Sequence, residues 1–294
     1  MSPDSKAESK ANSEERIVSA DDASRPLIGK NIVLTGANGG LGRESALAMA
    51  RLGATIILVG RKVDELEKVY DEIVELGGEQ PAIYPIHLDN LVTEDYQRMQ
   101  TTLAEEFKEL HGLVCNAVYF DKLAPLTSTS LESFQTSLAT GPGSAFLMVK
   151  ALLPLLKGPA IAVLDKQAEQ GEAFWGAYSV AKAGLANLWE VFSDEFANSE
   201  NVLFCGFYPG RMNTALRARA FPAVPPSESP NPALAGQALA DGLSCLLPVP
   251  TRLSCETSQY ELTKSLQECA ENLDVDFRKG LFRLAFKPPN NPLS

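Results

Sequence analysis

Histidine is almost missing from this chain: its 294 residues include only His87 and His111. Neither has a third ligand or a cysteine pair beside it, which argues against a zinc site. Cysteine is equally uninformative as a scaffold. Cys115, Cys205, Cys245, Cys255 and Cys269 are odd in number, scattered, and form no C-x-x-C pair. They read as reduced core thiols of a cytoplasmic protein rather than as a disulfide framework. Basic residues are in deficit, with 26 Lys and Arg against 37 Asp and Glu and a net charge of −11. Such a chain is repelled by phosphate backbones and anionic lipid, so neither nucleic acid nor a membrane is expected as a partner. No apolar run is long enough to span a bilayer. The opening stretch lacks an apolar core and mixes acids with bases, so it fits neither a secretory signal nor a transit peptide. Residues 1–28 read as a disordered tail.

What is present is an alternation of apolar runs and amphipathic stretches. "NIVLTGA", "ATIILVG", "AIYPIHLD", "GLVCNAV", "AIAVLD" and "NVLFCGFYPG" are six strand candidates. Helical stretches lie between them. "VDELEKVYDEIVELGG" places Leu66, Val69, Ile73 and Val74 on one face, with Asp64 as its expected cap. Thr93 is the expected cap of the next helix, and a long helix from Leu131 to Leu156 is broken by "TGPGS". Strands apolar on both faces and alternating with helices imply an α/β fold. It is a doubly wound parallel sheet in three layers, one domain, with its ligand crevice at the C-terminal strand ends. The expected division is a Rossmann-type domain over 29–258, a mobile flap over 211–231, and a C-terminal helix and tail over 259–294.

Four motifs carry chemistry. "TGANGGLG" joins the first strand to the first helix. There Gly36 permits a tight turn, Gly40 lets a pyrophosphate approach the backbone, and Gly42 lets the helix pack closely. The bland alternative is a plain turn. The second strand ends in Gly60, Arg61 and Lys62, with no acid to grip a ribose 2′-hydroxyl. A cation at Arg61 favours a 2′-phosphate, hence NADP(H) over NAD(H), unless the pair is simply solvated. Asp89 follows the third strand and reads equally as an adenine contact or a loop cap. Finally, Y-x-x-x-K occurs twice, as Tyr178/Lys182 and Tyr260/Lys264. Only the first follows a strand end, where the crevice belongs. An ammonium near a phenol favours the phenolate and lowers its pKa.

Together these residues resemble the short-chain dehydrogenase/reductase superfamily over roughly Asn31 to Ala220. "WGAYSVAK" and "NTALRARAFP" look closest to its bacterial YciK-type branch. The resemblance implies cofactor contacts at Gly36, Asn38, Gly40, Leu41, Gly42, Arg61, Asp89, Asn116, Tyr178, Lys182, Pro209, Gly210 and Thr214. It implies Tyr178 as the acid/base and Lys182 as its tuner and ribose anchor. No metal is implied. A homodimer or homotetramer is implied through "FLMVKALLPLL" and "AKAGLANLWEVF".

Three departures stand against that pattern. Between Ala160 and Tyr178 there is no Ser or Thr, and the position thirteen before Tyr178, where the family has its catalytic Ser, is Asp165. The family's helical Asn aligns with Gly141. An Asn-Asn-Ala-Gly run is reduced to Cys115-Asn116-Ala117-Val118. An ionised Asp165 would raise the Tyr178 pKa and repel a developing oxyanion; a protonated one would donate to it; a third option is an amine-bearing substrate. The expected activity is hydride transfer between NADP(H) and a carbonyl or alcohol substrate. The alternative is a weak or inactive NADP(H)-binding sensor or partner protein on the same fold.

Overall fold

Strand β1 (Asn31–Thr35) sends Ile32 and Leu34 into one hydrophobic core and Val33 into another. That split is what a strand buried on both faces must do, because successive side chains point to opposite sides. Strand β2 (Thr55–Gly60) repeats it with Ile56 and Leu58 against Ile57 and Val59. β3 (Ala82–Pro85), β4 (Gly112–Cys115), β5 (Pro159–Val163) and β6 (Leu203–Tyr208) complete the expected parallel set. The computed structural model describes residues 25–247, 263–264, 266–268, 273–278 and 281–287. Most of the expected tail, Tyr260, Cys255, Cys269 and the last seven residues lie outside the described residues.

The sheet has eight strands in the order β3-β2-β1-β4-β5-β6-β8-β7. β7 (Leu273–Arg278) and β8 (Leu281–Phe286) occupy the region expected as a helix and tail, which is a correction. β8 runs parallel to β6, and β7 pairs antiparallel to β8 as the edge. The pattern Leu273-Asp274-Val275-Asp276 explains β7: Leu273 and Val275 are buried while Asp274 is exposed. Helical residues at 263–264 and 266–268 precede it, with Leu266 in the core. Leu27, which the sequence placed in the tail, is also fully buried and donates its N–H to Leu52 O at 2.8 Å.

Helices α1 (Gly40–Arg51) and α2 (Val63–Glu75) cover one face of the sheet, and α3 (Thr93–Phe107) covers the other. Two expected caps are absent. α2 is preceded by Lys62, with Asp64 already in its first turn, and α3 is preceded by Val92, with Thr93 as its first residue. Val74 is exposed rather than packed. The long helix is α4 (Leu131–Leu138) and α5 (Ser144–Leu152), and "ATGPG" does not break it but joins the two as a π-helical turn, Ala139–Gly143. A proline and two glycines in the turn account for the local widening. α6 (Lys166–Glu169) is a single turn, α7 (Gly176–Glu195) carries the Tyr–Lys pair, and α8 (Ala215–Ala220) lies in the flap. α9 (Pro232–Cys245) packs on α1 through Gly236, where an added Cβ would lie 2.7 Å from the Glu44 backbone.

Strand order reverses between β1 and β4, so β1 leads to neighbours on both sides. The loops at their C-terminal ends diverge there and leave a crevice. Gly36, Gly40, Arg61, Asp89, Tyr178 and Lys182 all line it.

Candidate active site

The crevice is a cleft of about 1130 Å³. Its floor is the glycine turn. Gly36 has φ +65, and a Cβ on it would lie 2.9 Å from the Ala117 Cα. A Cβ on Gly42 would lie 2.1 Å from Gly36 O, so α1 sits against the turn as closely as a glycine allows. Gly39 precedes α1 and offers no side-chain cap, which leaves the first N–H groups of a twelve-residue helix facing the cleft. These features fit a dinucleotide pyrophosphate, and Gly40, Leu41, Asn38, Pro209, Gly210 and Thr214 line the same space.

Asn116 was expected to touch the cofactor, yet its amide braces the turn. Its Nδ2 donates to Thr35 O at 3.1 Å and Gly36 O at 3.0 Å. Thr35 Oγ1 accepts from the N–H groups of Asn116 and Ala117, each at 3.0 Å. Thr214 caps α8 by accepting from Arg217 N–H at 3.3 Å, and its methyl lies over Gly40. At the other end of the cleft, Arg61 pairs with Asp89 at 3.6 Å. That contact is solvent-exposed on the Arg61 side and so weakly stabilising.

Tyr178, Lys182 and Asp165 converge at the end of β5. The Tyr178 hydroxyl donates to Asp165 Oδ2 at 3.0 Å. Asp165 Oδ1 accepts from the N–H groups of Gln167 and Ala168 at 3.1 and 3.2 Å, capping α6. Three of the carboxylate's roughly four acceptor sites are therefore used by the protein. This leaves little of it for the amine-bearing substrate considered above. Lys182 is buried and donates to Val163 O at 2.6 Å, with its Nζ 5.9 Å from the centre of the Tyr178 ring. Burial lowers the lysine to about 8, although Asp165 and Glu169 both oppose that shift. Burial also raises the Tyr178 phenol well above the usual tyrosine value, and the Asp165 charge and hydrogen bond add to the rise. The sequence offered two directions, a phenol lowered by Lys182 or raised by an ionised Asp165, and the observed shift is the second. The carboxylate and the desolvated site outweigh the lysine.

Gly141 sits in the π-helical turn, where an added Cβ would meet Ala181 Cβ at 3.4 Å, an ordinary contact. Glycine is not forced there by space. Thr140, its neighbour, lines the cleft instead. Val118 joins Phe120, Trp175, Tyr178 and Phe221 in an aromatic box above the pair. Trp175 lies 5.3 Å from Tyr178 and 5.4 Å from Phe120. The flap is tied to this box by Arg219, which donates to Phe120 O at 2.6 Å, and is held together internally by Arg217, which donates to Ser229 Oγ at 2.6 Å and lies over Phe221.

Sequence reasoning missed a second polar group behind the first. Tyr208 at the end of β6 donates to Glu169 Oε2 at 3.3 Å, while Glu169 Oε1 is buried with no partner. Burial raises the Glu169 carboxyl, against Tyr208 and Arg283. Arg283 comes from β8, pairs with Glu190 on α7, and lies over the Tyr208 ring. Nothing local marks Arg283, because it reaches the site only once β8 is placed beside β6. It also missed a cavity of about 140 Å³ between α4 and Tyr178, lined by Ser128, Thr129, Ser130, Ser133 and Ser137.

A doubly wound sheet with a glycine turn at its switch point and a buried Tyr–Lys pair beside it defines a dinucleotide-binding oxidoreductase scaffold. Comparison with known proteins narrows that class. The short chain dehydrogenase family matches residues 30–224. The uncharacterized oxidoreductase YciK of Escherichia coli K12 is 32% identical over 206 residues, which cover 69% of this chain and 81% of that protein. The solved structure of E. coli yciK has a TM-score of 0.71 at 30% identity, covering 75% of this chain and 91% of that one. A short chain dehydrogenase from E. coli CFT073, complexed with NADPH, has a TM-score of 0.68 at 32% identity, covering 71% of this chain and 88% of that one. The chain belongs to the short-chain dehydrogenase/reductase family.

Proposed function

We propose that this chain transfers hydride between NADP(H) and a small carbonyl or alcohol substrate. Tyr178 acts as the acid/base, Lys182 anchors the nicotinamide ribose and Asp165 takes the place of the family's serine. The observation that carries this is the hydrogen bond from the Tyr178 hydroxyl to Asp165 beside the glycine-floored cleft. A relative of this fold complexed with NADPH, together with Arg61 and Lys62 at the end of β2, supports NADP(H).

A bound dinucleotide supplies the hydride donor or acceptor. The Tyr–Asp bond then carries the proton. An alcohol that gives its proton to Tyr178 Oη lets Tyr178 pass its own proton to Asp165 Oδ2, so Asp165 ends as the acid. In the reverse sense Tyr178, whose phenol is held well above the usual tyrosine range, gives its own proton to the substrate oxygen as hydride arrives. The test is steady-state turnover of NADP⁺ with an alcohol panel and NADPH with the matching carbonyls, in native protein and Tyr178→Phe. Equal rates in the two proteins would remove Tyr178 from the chemistry.

A second reading has its own observation. Tyr178 spends its hydroxyl proton on Asp165, and Lys182 spends one of its three N–H groups on Val163 O. A binding protein without turnover would look the same. It predicts NADPH binding with no product from any member of the panel, and brisk native turnover would end it.

A further inference from the structure

The adenosine end of the cleft holds an acid that neither the glycine motif nor the β2 ending accounts for. Glu65, in the first turn of α2, lines the cleft together with Asn38, Arg61 and Lys62. Its Oε2 accepts from Asn38 Nδ2 at 2.7 Å, and its Oε1 accepts from Lys62 Nζ at 2.8 Å. Asn38 belongs to the glycine turn, so Glu65 ties that turn to the residues after β2. The end of β2 is Gly60, and a carbon added there would lie 3.9 Å from Asn38 Oδ1. The Asn38–Glu65 pair thus stands beside the space that an acid at the end of β2 would enter. Each of the two cations available to a 2′-phosphate is already matched to a carboxylate: Lys62 to Glu65, and Arg61 to Asp89 at 3.6 Å. The lowered Glu65 carboxyl, held by Lys62 and Asn38, keeps its charge at neutral pH.

We propose that Glu65 is the residue that sets nucleotide discrimination in this chain. It offers an acceptor to the adenosine ribose 2′-hydroxyl of NAD(H), and it neutralises Lys62 so that a 2′-phosphate is only partly supported. The result is a site that binds both dinucleotides, with the NADP(H) preference restrained by one carboxylate. The inference rests on the cleft holding a dinucleotide with its adenosine toward Arg61, as the proposed function requires.

The experiment is direct titration of NADPH and NADH by nucleotide fluorescence, with no substrate and no turnover. Native protein, Glu65→Gln and Lys62→Gln are compared. Removing one carboxylate within a few ångströms of a phosphate should tighten NADPH, and losing the acceptor should weaken NADH. The ratio of the NADH to the NADPH dissociation constant should rise about tenfold in Glu65→Gln. In Lys62→Gln the ratio should fall. An unchanged ratio in Glu65→Gln, or a parallel change in both constants, overturns the assignment of Glu65 while leaving the nucleotide site standing. Failure of the native protein to bind either nucleotide overturns the cofactor reading itself, and this inference with it.

Discussion

Asp165 does two jobs whose demands conflict. As the cap of α6 it must stay an acceptor for two backbone N–H groups, and in the proposed mechanism it must also take or give a proton through Tyr178. Serine would serve the second job without the charge. Asp165→Ser should therefore raise NADPH-dependent carbonyl reduction, because one oxyanion donor is worth ~10²–10³ in rate. Adding Tyr178→Phe to that variant should abolish the gain, and a rate that survives would show the serine acting alone. Lys182 makes a prediction about stability and pH. Burial pulls it down to about 8 in the folded protein, from the usual 10.5 of a solvated lysine. Below pH 8 both folded and unfolded chains hold its proton and the burial penalty is fully present. Between about 8 and 10.5 only the unfolded chain holds it, so this group makes stability rise with pH through that window. Between pH 8 and pH 10 the urea midpoint of native protein should have a more positive pH slope than that of Lys182→Met, whatever the buried thiols add to both. Equal slopes would show that the lysine is not the group responsible.

At the scale of elements, the crevice depends on close approaches that only small residues permit. Gly236 brings α9 against α1, the helix whose N-terminus faces the cleft. Gly236→Ala should force the two helices apart and cost ~1–3 kcal/mol, read as a lower urea midpoint. A midpoint equal to native would mean that the helices have slack. β8 matters in another way. Leu284 is fully buried among the helices of one face, and the adjoining Ala285 and Phe286 line the cleft. Leu284→Ala should cost ~2–5 kcal/mol and loosen nucleotide binding together with stability. If binding is unaffected at a temperature where the variant is folded, β8 is a structural strand only.

Over the whole molecule, one cleft joins the glycine turn, the Tyr–Lys pair and the flap, so ligand and fold are thermodynamically linked. NADPH at a hundred times its dissociation constant should stabilise the protein by ~2.7 kcal/mol, seen as a concentration-dependent rise in unfolding temperature. No shift with either dinucleotide would contradict the proposed function. No helix among the described residues is long and apolar enough to cross a membrane. Phe146 on α5 and Val180 and Val191 on α7 are exposed apolar residues on the helices through which the family resemblance implies association.

By itself the sequence determined the six strands from β1 to β6, the helices between them and the order of the motifs. Each follows from local patterning: a two-sided apolar run, a glycine trio between strand and helix, a Tyr and Lys one turn apart. The spacing from Tyr178 also located Asp165. What it did not determine depends on contacts between distant segments. β7 and β8 are as long as β2 and β6, yet nothing local ties them to the sheet, and their place beside β6 decides that Arg283 meets Tyr208 and Glu169. The capping guesses at Asp64 and Thr93 failed because a cap is set by where the backbone turns, not by residue type alone. Which of Lys182 and Asp165 prevails at Tyr178 was beyond sequence for the same reason. Two charges compete for one buried phenol, and their distances and the depth of burial exist only once the chain has folded.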